Sequence, residues 1–413
     1  MTLPRNTVRI RRMRTVNDRL SVVIAGDICT TAKMNEVDGE FAKRLLRDMM
    51  PYLRAADFRI ANQECVLREG DEGAPIVKSG PCLFGRVKNA ELLKEAEVDC
   101  AILANNHFGD YGAPAIETTL RVLRDLGIAT VGGGRTIEEA YRAYTVEKNG
   151  VTVSFLAVCE NEFGGAKKDA PGSAGYRLKL LSDRIREEKE KADFVTVIFH
   201  GGNENIPVPS PSAQDRYRLI IDLGADALVA MHSHCMQGFE TYRDCPILYG
   251  LGNWFFPSRF GHSADSPWYS GYLAHLTFEK GKPVTYTVTP YHLVEDSTRF
   301  EVPTGEKKEA VLRYLDRISA PLADEDWLWR LHYGWCLKSG KGYAQALVYD
   351  PVFASDGLSE KDASRLAALK NLFGCEAHNA LMRNLLFMEH EGKCKEHEKD
   401  LEELLALCPV PRS

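Results

Sequence analysis

The 413-residue chain is 44% hydrophobic and 27% charged, with a formal net charge of −6, an ordinary globular composition that excludes a basic nucleic-acid footprint. No run of 18 uncharged residues occurs, so no membrane span is expected. The eleven cysteines stand singly without a C-x-x-C pair, a reduced-thiol pattern; with no secretory signal in the basic N-terminus, a cytoplasmic location is expected.

In chain order, an N-terminal segment (1–19) precedes the strand-like "SVVIAGD" (21–27). A helix-like stretch (41–56) follows, then "FRIANQE" (58–64), helix-like 89–98 and "CAILANNH" (100–107). The pattern continues through "PAIETTLRVLRDLG", "IATVGGG", "VTVSFLAVCE", "ADFVTVIFH", "RYRLIIDLGA" and "DALVAMHSH", which ends at residue 234. Apolar β-branched runs alternating with amphipathic helices predict an α/β fold whose strands are buried on both faces. Beyond "ILYGLGNWFF" (247–256), "EKGK" (279–282) reads as a hairpin turn. We therefore expect a main domain over 20–300. Residues 301–413 carry five helix-like segments and are expected to form a helical extension.

Ionisable and amide side chains collect just after the strand runs, where α/β sheets bind ligands. Asp27 follows a glycine that permits a tight turn, and Glu64 adds a second carboxylate beside Asn62. Asn105, Asn106 and His107 leave one apolar run together; an amide oxygen can ligate a metal, and an adjacent imidazole can hold a proton for a leaving group. His200 precedes two glycines. His232 and His234 are spaced so that, in an extended segment, both rings point to one side. That pair alone is as readily structural as metal-binding. Together, the carboxylates, amide and imidazoles form a mixed N/O donor set suited to a transition metal.

"AGDIC", "ANQECVL", "LANNHFGDYG", "HGGNE" and "GADALVAMHSHCMQGFE…ILYGLGNW", in that order over about 20–300, resemble the CapA capsule-synthesis (poly-γ-glutamate biosynthesis) family of the calcineurin-like metallophosphatase superfamily. The resemblance implies a β-sandwich flanked by helices, four layers αββα, with two divalent metal ions between strand ends and loops. It implies Asp27, Glu64, Asn106, His200, His232 and His234 as metal ligands, with Glu64 bridging. His232 would share an ion with Asn106 and His200, and His234 one with Asp27. His107 becomes the catalytic imidazole, and Asn62, Asn105, Glu204 and Asn253 are expected at the substrate. Two departures stand out. Cys29 occupies a place where the wider superfamily has histidine, so it is either a thiolate ligand or a missing one. Near His200 an aromatic residue of the family is absent.

The leading expectation is a phosphoesterase acting on a phosphorylated or polyanionic substrate. Two ions roughly 3.5–4 Å apart, Mn²⁺ ahead of Fe or Zn²⁺, would activate a shared water, generating hydroxide for in-line attack. Alternatives are a hydrolase or transferase of a poly-γ-glutamate-type amide polymer, or a non-catalytic assembly subunit. Lys78, Arg86, Lys167 and Lys168 are the cations a polyanion groove would draw on. Oligomeric state is not legible.

Overall fold

In the computed structural model, which describes residues 18–30, 37–257, 262–263, 266–294, 296–347 and 359–411, the apolar runs become strands. Residues 1–17 of the expected N-terminal segment and 348–358 of the expected extension lie outside the described residues. The strands are β1 (Arg19–Ile28), β2 (Phe58–Gln63), β3 (Cys100–Ile102), β4 (Ala129–Val131), β5 (Tyr144–Lys148), β6 (Val151–Cys159) and β7 (Phe194–His200). They continue as β8 (Ala227–Met231), β9 (Phe239–Tyr242), β10 (Cys245–Leu248), β11 (Asn253–Phe255), β12 (Ser270–Glu279), β13 (Thr285–Leu293) and β14 (Phe300–Glu301).

These strands make two sheets. One runs β14-β13-β12-β1-β2-β3-β4, with β11 added beside the end of β1; the other runs β9-β10-β8-β7-β6-β5. The centre of each sheet is parallel, β1 to β4 in the first and β6, β7, β8 and β10 in the second. Every residue of β7, "FVTVIFH", is buried, as expected of a strand covered on both faces. β12, β13 and β14 in the first sheet and β5 and β9 in the second pair antiparallel, and β12 turns into β13 through the expected "EKGK" hairpin, where Lys282 N–H donates to the Glu279 carbonyl at 3.0 Å.

Three apolar clusters define four layers. Between the sheets, Leu20, Val22 and Ile24 of β1 and Phe278 of β12 pack with Phe155, Ile198 and Val229 of the second sheet. Outside the first sheet, Leu45, Leu46, Leu92 and Ile116 come from flanking helices. Outside the second, Leu181 and Ile185 of the helix Leu178–Lys189 join Tyr217 and Ile220 of the helix Pro211–Asp222. The latter helix begins where its sequence says it should, with Ser210 accepting from Ala213 N–H and Pro211 in the first turn. The expected αββα sandwich is the fold observed.

The segments read as helix-like after residue 301 form helices Gly305–Ser319, Glu325–Ala344, Glu360–Gly374, Glu376–His390 and Glu398–Leu407. They dock onto the sandwich. Leu328, Leu331 and Leu404 join the outer cluster of the second sheet, and Tyr314, Leu315 and Ile318 pack against the inter-sheet core. Polar clasps fix the contact: Glu376 accepts from the Asn161 N–H at 2.9 Å and from its amide at 2.6 Å, and Asn371 donates to Ser79 at 3.3 Å.

Glycine shapes the edge that matters most. β1 breaks register between Ala25 and Asp27, and a Cβ on Gly26 would stand 1.9 Å from the Gly252 carbonyl oxygen, so the two backbones cross where no side chain fits. That crossing sets Asp27 directly opposite Asn253 of β11.

Two predictions follow from this packing. Gly26→Ala is expected to lower stability by roughly 3 kcal/mol, the upper end for overpacking, read as a fall in the urea midpoint; an unchanged midpoint would mean the backbones part freely. The second concerns His332, fully enclosed in the helix Glu325–Ala344, where burial pushes its imidazole down from 6.5 to about 4. The unfolded chain therefore takes up this proton first as pH falls. Stability present above pH 6.5 is lost progressively down to about pH 4, by on the order of 3 kcal/mol at most. Thermal unfolding across that window should show a shallower pH dependence in His332→Gln; an identical slope would remove His332 from the account.

Candidate metal centre

The carboxyl ends of the parallel strands in both sheets meet at one rim, and each brings polar side chains to it. β1 brings Asp27, β2 brings Asn62 with Glu64 just beyond, and the turn after β3 brings Asn105, Asn106 and His107. From the second sheet come His200 at the end of β7 and His232 and His234 just past β8. Two groups of donor atoms, each within 4.8 Å of one another, share Glu64: Glu64 with His200 and His232, and Glu64 with Asp27 and His234. Asn106 Oδ1 lies 3.2 Å from His200 Nε2, and His200 Nε2 is 3.0 Å from His232 Nδ1.

The histidine pair reaches the rim by a route the sequence pattern misassigns. β8 ends at Met231, and His232 and His234 have φ of 96° and 52°, so their rings converge through two left-handed turns and not through strand alternation. Such conformations cost of order 1–3 kcal/mol each in a non-glycine residue and persist only where surroundings impose them. Here the His232 N–H donates to Asp27 Oδ2 at 3.1 Å, and His234 Nδ1 meets Asn253 Oδ1 at 2.9 Å.

Charge in this cluster is poorly compensated by the protein itself. Both Glu64 carboxylate oxygens are buried with no hydrogen-bond partner among the described residues. Burial, and after it the Asp27 charge, pushes the Glu64 carboxyl well above its usual range; burial likewise raises Asp27 against the pull of His234 and the amide of Asn62. His200 is driven the other way, by burial and then by the neighbouring imidazoles, and so stays neutral with a lone pair to give. Two carboxylates that need a cation, ringed by imidazoles, fit one or two divalent ions with N/O preference.

His107 lies at the edge of this cluster and belongs to a second network. Its Nδ1 is 2.6 Å from Asp110 Oδ2, and Lys78 Nζ, itself buried, donates to Asp110 Oδ1 at 2.7 Å. Burial, then the Lys78 charge, lowers the His107 imidazole below its ordinary value. With Nδ1 held by the carboxylate, Nε2 is the nitrogen available to a ligand.

Of the four residues expected at the substrate, Glu204 lines an open cavity of about 460 Å³, together with Asn106 and His107. Asn62, Asn105 and Asn253 are instead buried supports. Asn62 donates to Asp27 at 2.7 Å, Asn105 to Asn62 at 3.1 Å, and Asn253 holds His234, because amides packed between strand ends are consumed in satisfying their neighbours. Cys29 stands outside both donor groups and packs in the outer apolar core with Cys65. The four cations named for a polyanion groove do not form one. Lys78 is committed to Asp110, Arg86 to the Gly70 carbonyl, Lys167 lines a separate cavity and Lys168 is exposed.

Two contributors escaped the sequence reading. Asp110 follows His107 by one turn in "NHFGD", a spacing that could have revealed it. Glu162, in "CENEFGG" after β6, has the same strand-end position as the other acids, and its Oε1 lies 3.7 Å from His232 Nε2.

A profile of the family described as "Bacterial capsule synthesis protein PGA_cap" matches residues 21–258. The capsule biosynthesis protein CapA of Bacillus anthracis is 28% identical over 309 residues, covering 73% of this chain and 74% of that protein. The PGA biosynthesis protein CapA of Bacillus subtilis (strain 168) is 26% identical over 322 residues, covering 77% and 82%. Among solved structures, a putative 5'-nucleotidase from Staphylococcus aureus in complex with alpha-ketoglutarate aligns with a TM-score of 0.42 at 14% identity, over 72% of this chain and 58% of that one.

The donor set predicts a thermal response. Mn²⁺ at 100 times its dissociation constant should stabilise the protein by about 2.7 kcal/mol, and Glu64→Gln should abolish most of that gain. A midpoint that ignores Mn²⁺, Fe²⁺ and Zn²⁺ alike would sink the metal assignment.

Proposed function

The chain belongs to the bacterial capsule synthesis protein PGA_cap family, and from that premise we propose that it is a metal-dependent phosphoesterase with a two-ion centre. The observation that carries this reading is the buried Glu64 carboxylate, without a hydrogen bond among the described residues and shared by two groups of imidazole and carboxylate donors. One ion would be held by Glu64, His200 and His232 with the Asn106 amide oxygen, the other by Asp27, Glu64 and His234. The mixed N/O set favours Mn²⁺, with Fe or Zn²⁺ as alternatives. When bound, such ions supply Lewis acidity toward a phosphoryl group and lower the pKa of water.

The chain's own residues supply the rest. Asn62 bridges the two sheets, donating to Asp27 at 2.7 Å with its amide 3.2 Å from His200 Nδ1, and so sets the spacing of ligands from different strands. Asn253 sets the ring plane of His234. His107 holds a proton for the leaving oxygen, and Asp110 fixes its tautomer and orientation. In the free protein, burial and Lys78 favour the neutral ring. An incoming phosphate dianion reverses that preference, because an opposite charge nearby stabilises imidazolium.

A proton donor matters most when the leaving group is poor. His107→Ala should lower kcat for alkyl phosphomonoesters by about 100-fold or more, and lower it much less for p-nitrophenyl phosphate, whose phenolate departs unaided. Equal loss on both esters, or none on either, would overturn the role given to His107. Absence of turnover by the Mn²⁺-supplemented protein on any phosphate ester would overturn the phosphoesterase reading.

A further inference from the structure

The cavity lined by Asn106 and His107 is lined also by the C-terminal helices, through Trp335, Tyr343 and Asn371. These three residues lie beyond the stretch that the family profile matches. At about 460 Å³ the chamber has the size of a small-molecule pocket.

Its chemistry is uneven. Glu162 and Glu204 line it, whereas the one lysine or arginine among its described lining residues, Lys78, is already paired with Asp110 at 2.7 Å. Beyond the proposed ions, a polyanionic leaving group would meet two carboxylates and a lysine already neutralised by its own partner. Polar groups without a protein partner among the described residues are also present: Asn203 Nδ2, Trp335 Nε1 and Asn371 Oδ1. Donors, acceptors and carboxylates beside the rings of Trp335 and Tyr343 suit a hydroxyl-bearing ring that can lay a C–H face on an aromatic side chain and carries no net negative charge.

We propose that this chamber receives the leaving group of the substrate and that this group is a neutral sugar, making the substrate class sugar monophosphates and not polyanionic polymers. The assignment rests on the phosphoesterase reading for the phosphate end. In the reaction, the oxygen of water bonds to phosphorus as the bond from phosphorus to the sugar oxygen breaks. One proton of the water stays on the phosphate, and the sugar oxygen takes a proton from His107, which the second water proton replenishes. Free sugar and inorganic phosphate result.

The test uses the full chain with Mn²⁺ and compares a panel of hexose, pentose and N-acetylated amino-sugar monophosphates with p-nitrophenyl phosphate and a γ-glutamyl oligomer. At least one sugar phosphate should exceed p-nitrophenyl phosphate in kcat/KM by about 10-fold, the worth of one or two hydrogen bonds. Titration with that sugar phosphate should quench tryptophan fluorescence, and Trp335→Phe should remove the quench. Asn371→Ala should raise KM for the sugar phosphate by about 10-fold and do so several times more than for p-nitrophenyl phosphate. Turnover of p-nitrophenyl phosphate with no sugar preference and no quench overturns the inference and leaves the phosphoesterase reading intact. Preference for the γ-glutamyl oligomer overturns it as well. Inactivity on every ester overturns both.

Discussion

A carboxylate sealed from water, without a hydrogen bond and beside a second carboxylate, stays ionised in a protein interior only when a cation compensates it. Among the described residues Glu64 is in that position, with Asp27 as its neighbour and His200, His232 and His234 around it. Protonation would relieve the charge, and burial pushes Glu64 strongly that way. The other relief would be a cation held by the surrounding imidazoles, of which His200 is kept neutral and so has a lone pair to give. The rim of the sandwich is thus built around an electrostatic deficit that the protein leaves for a ligand to fill.

Maintaining that deficit constrains the backbone at several distant points. Gly26 must lack a side chain for β1 to approach the Gly252 carbonyl, and Gly252 must lack one because a Cβ there would stand 2.5 Å from the Ser270 carbonyl oxygen of β12; Asp27 then stands beside Asn253. His232 and His234 accept left-handed conformations, and the bonds from His232 N–H to Asp27 and from His234 to Asn253 hold them there. These two bonds tie the second sheet to the first. The cluster is therefore also a cross-brace of the sandwich at its open edge, and site and fold share the same contacts.

The C-terminal helices complete the site in a different sense. They contribute none of the candidate ligands, yet they add Trp335, Tyr343 and Asn371 to the lining of the cavity that Asn106 and His107 share. A buried polar junction behind them locks this placement: Arg216 lies 2.8 Å from Glu160, and the Cys375 thiol lies 3.5 Å from the same carboxyl group. Burial works against the Glu160 charge, but Arg216 holds its carboxyl below the usual range. The helices that wall the chamber are thereby coupled to the end of β6, two residues from Glu162.

Local pattern in the chain was enough for the strands, their helical partners, the helical extension and the polar residues at strand ends. Those follow from short-range physics: apolar runs bury, glycine and proline turn the chain, and polar groups accumulate where strands leave the core. What the pattern could not settle was direction. Asn62, Asn105 and Asn253 read as substrate contacts, but Asn62 and Asn253 bond the candidate ligands Asp27 and His234, Asn105 bonds Asn62, and Cys29 turns into an apolar core. Asp110 and Glu162 carried legible signals and were passed over. The chamber and its sign of charge were beyond local reading altogether, because they arise where helices from the last quarter of the chain meet loops from its first half. The sequence alone determined which chemistry-bearing residues gather at the rim; only tertiary packing decided which of them face one another, which face a ligand, and which are consumed holding the others in place.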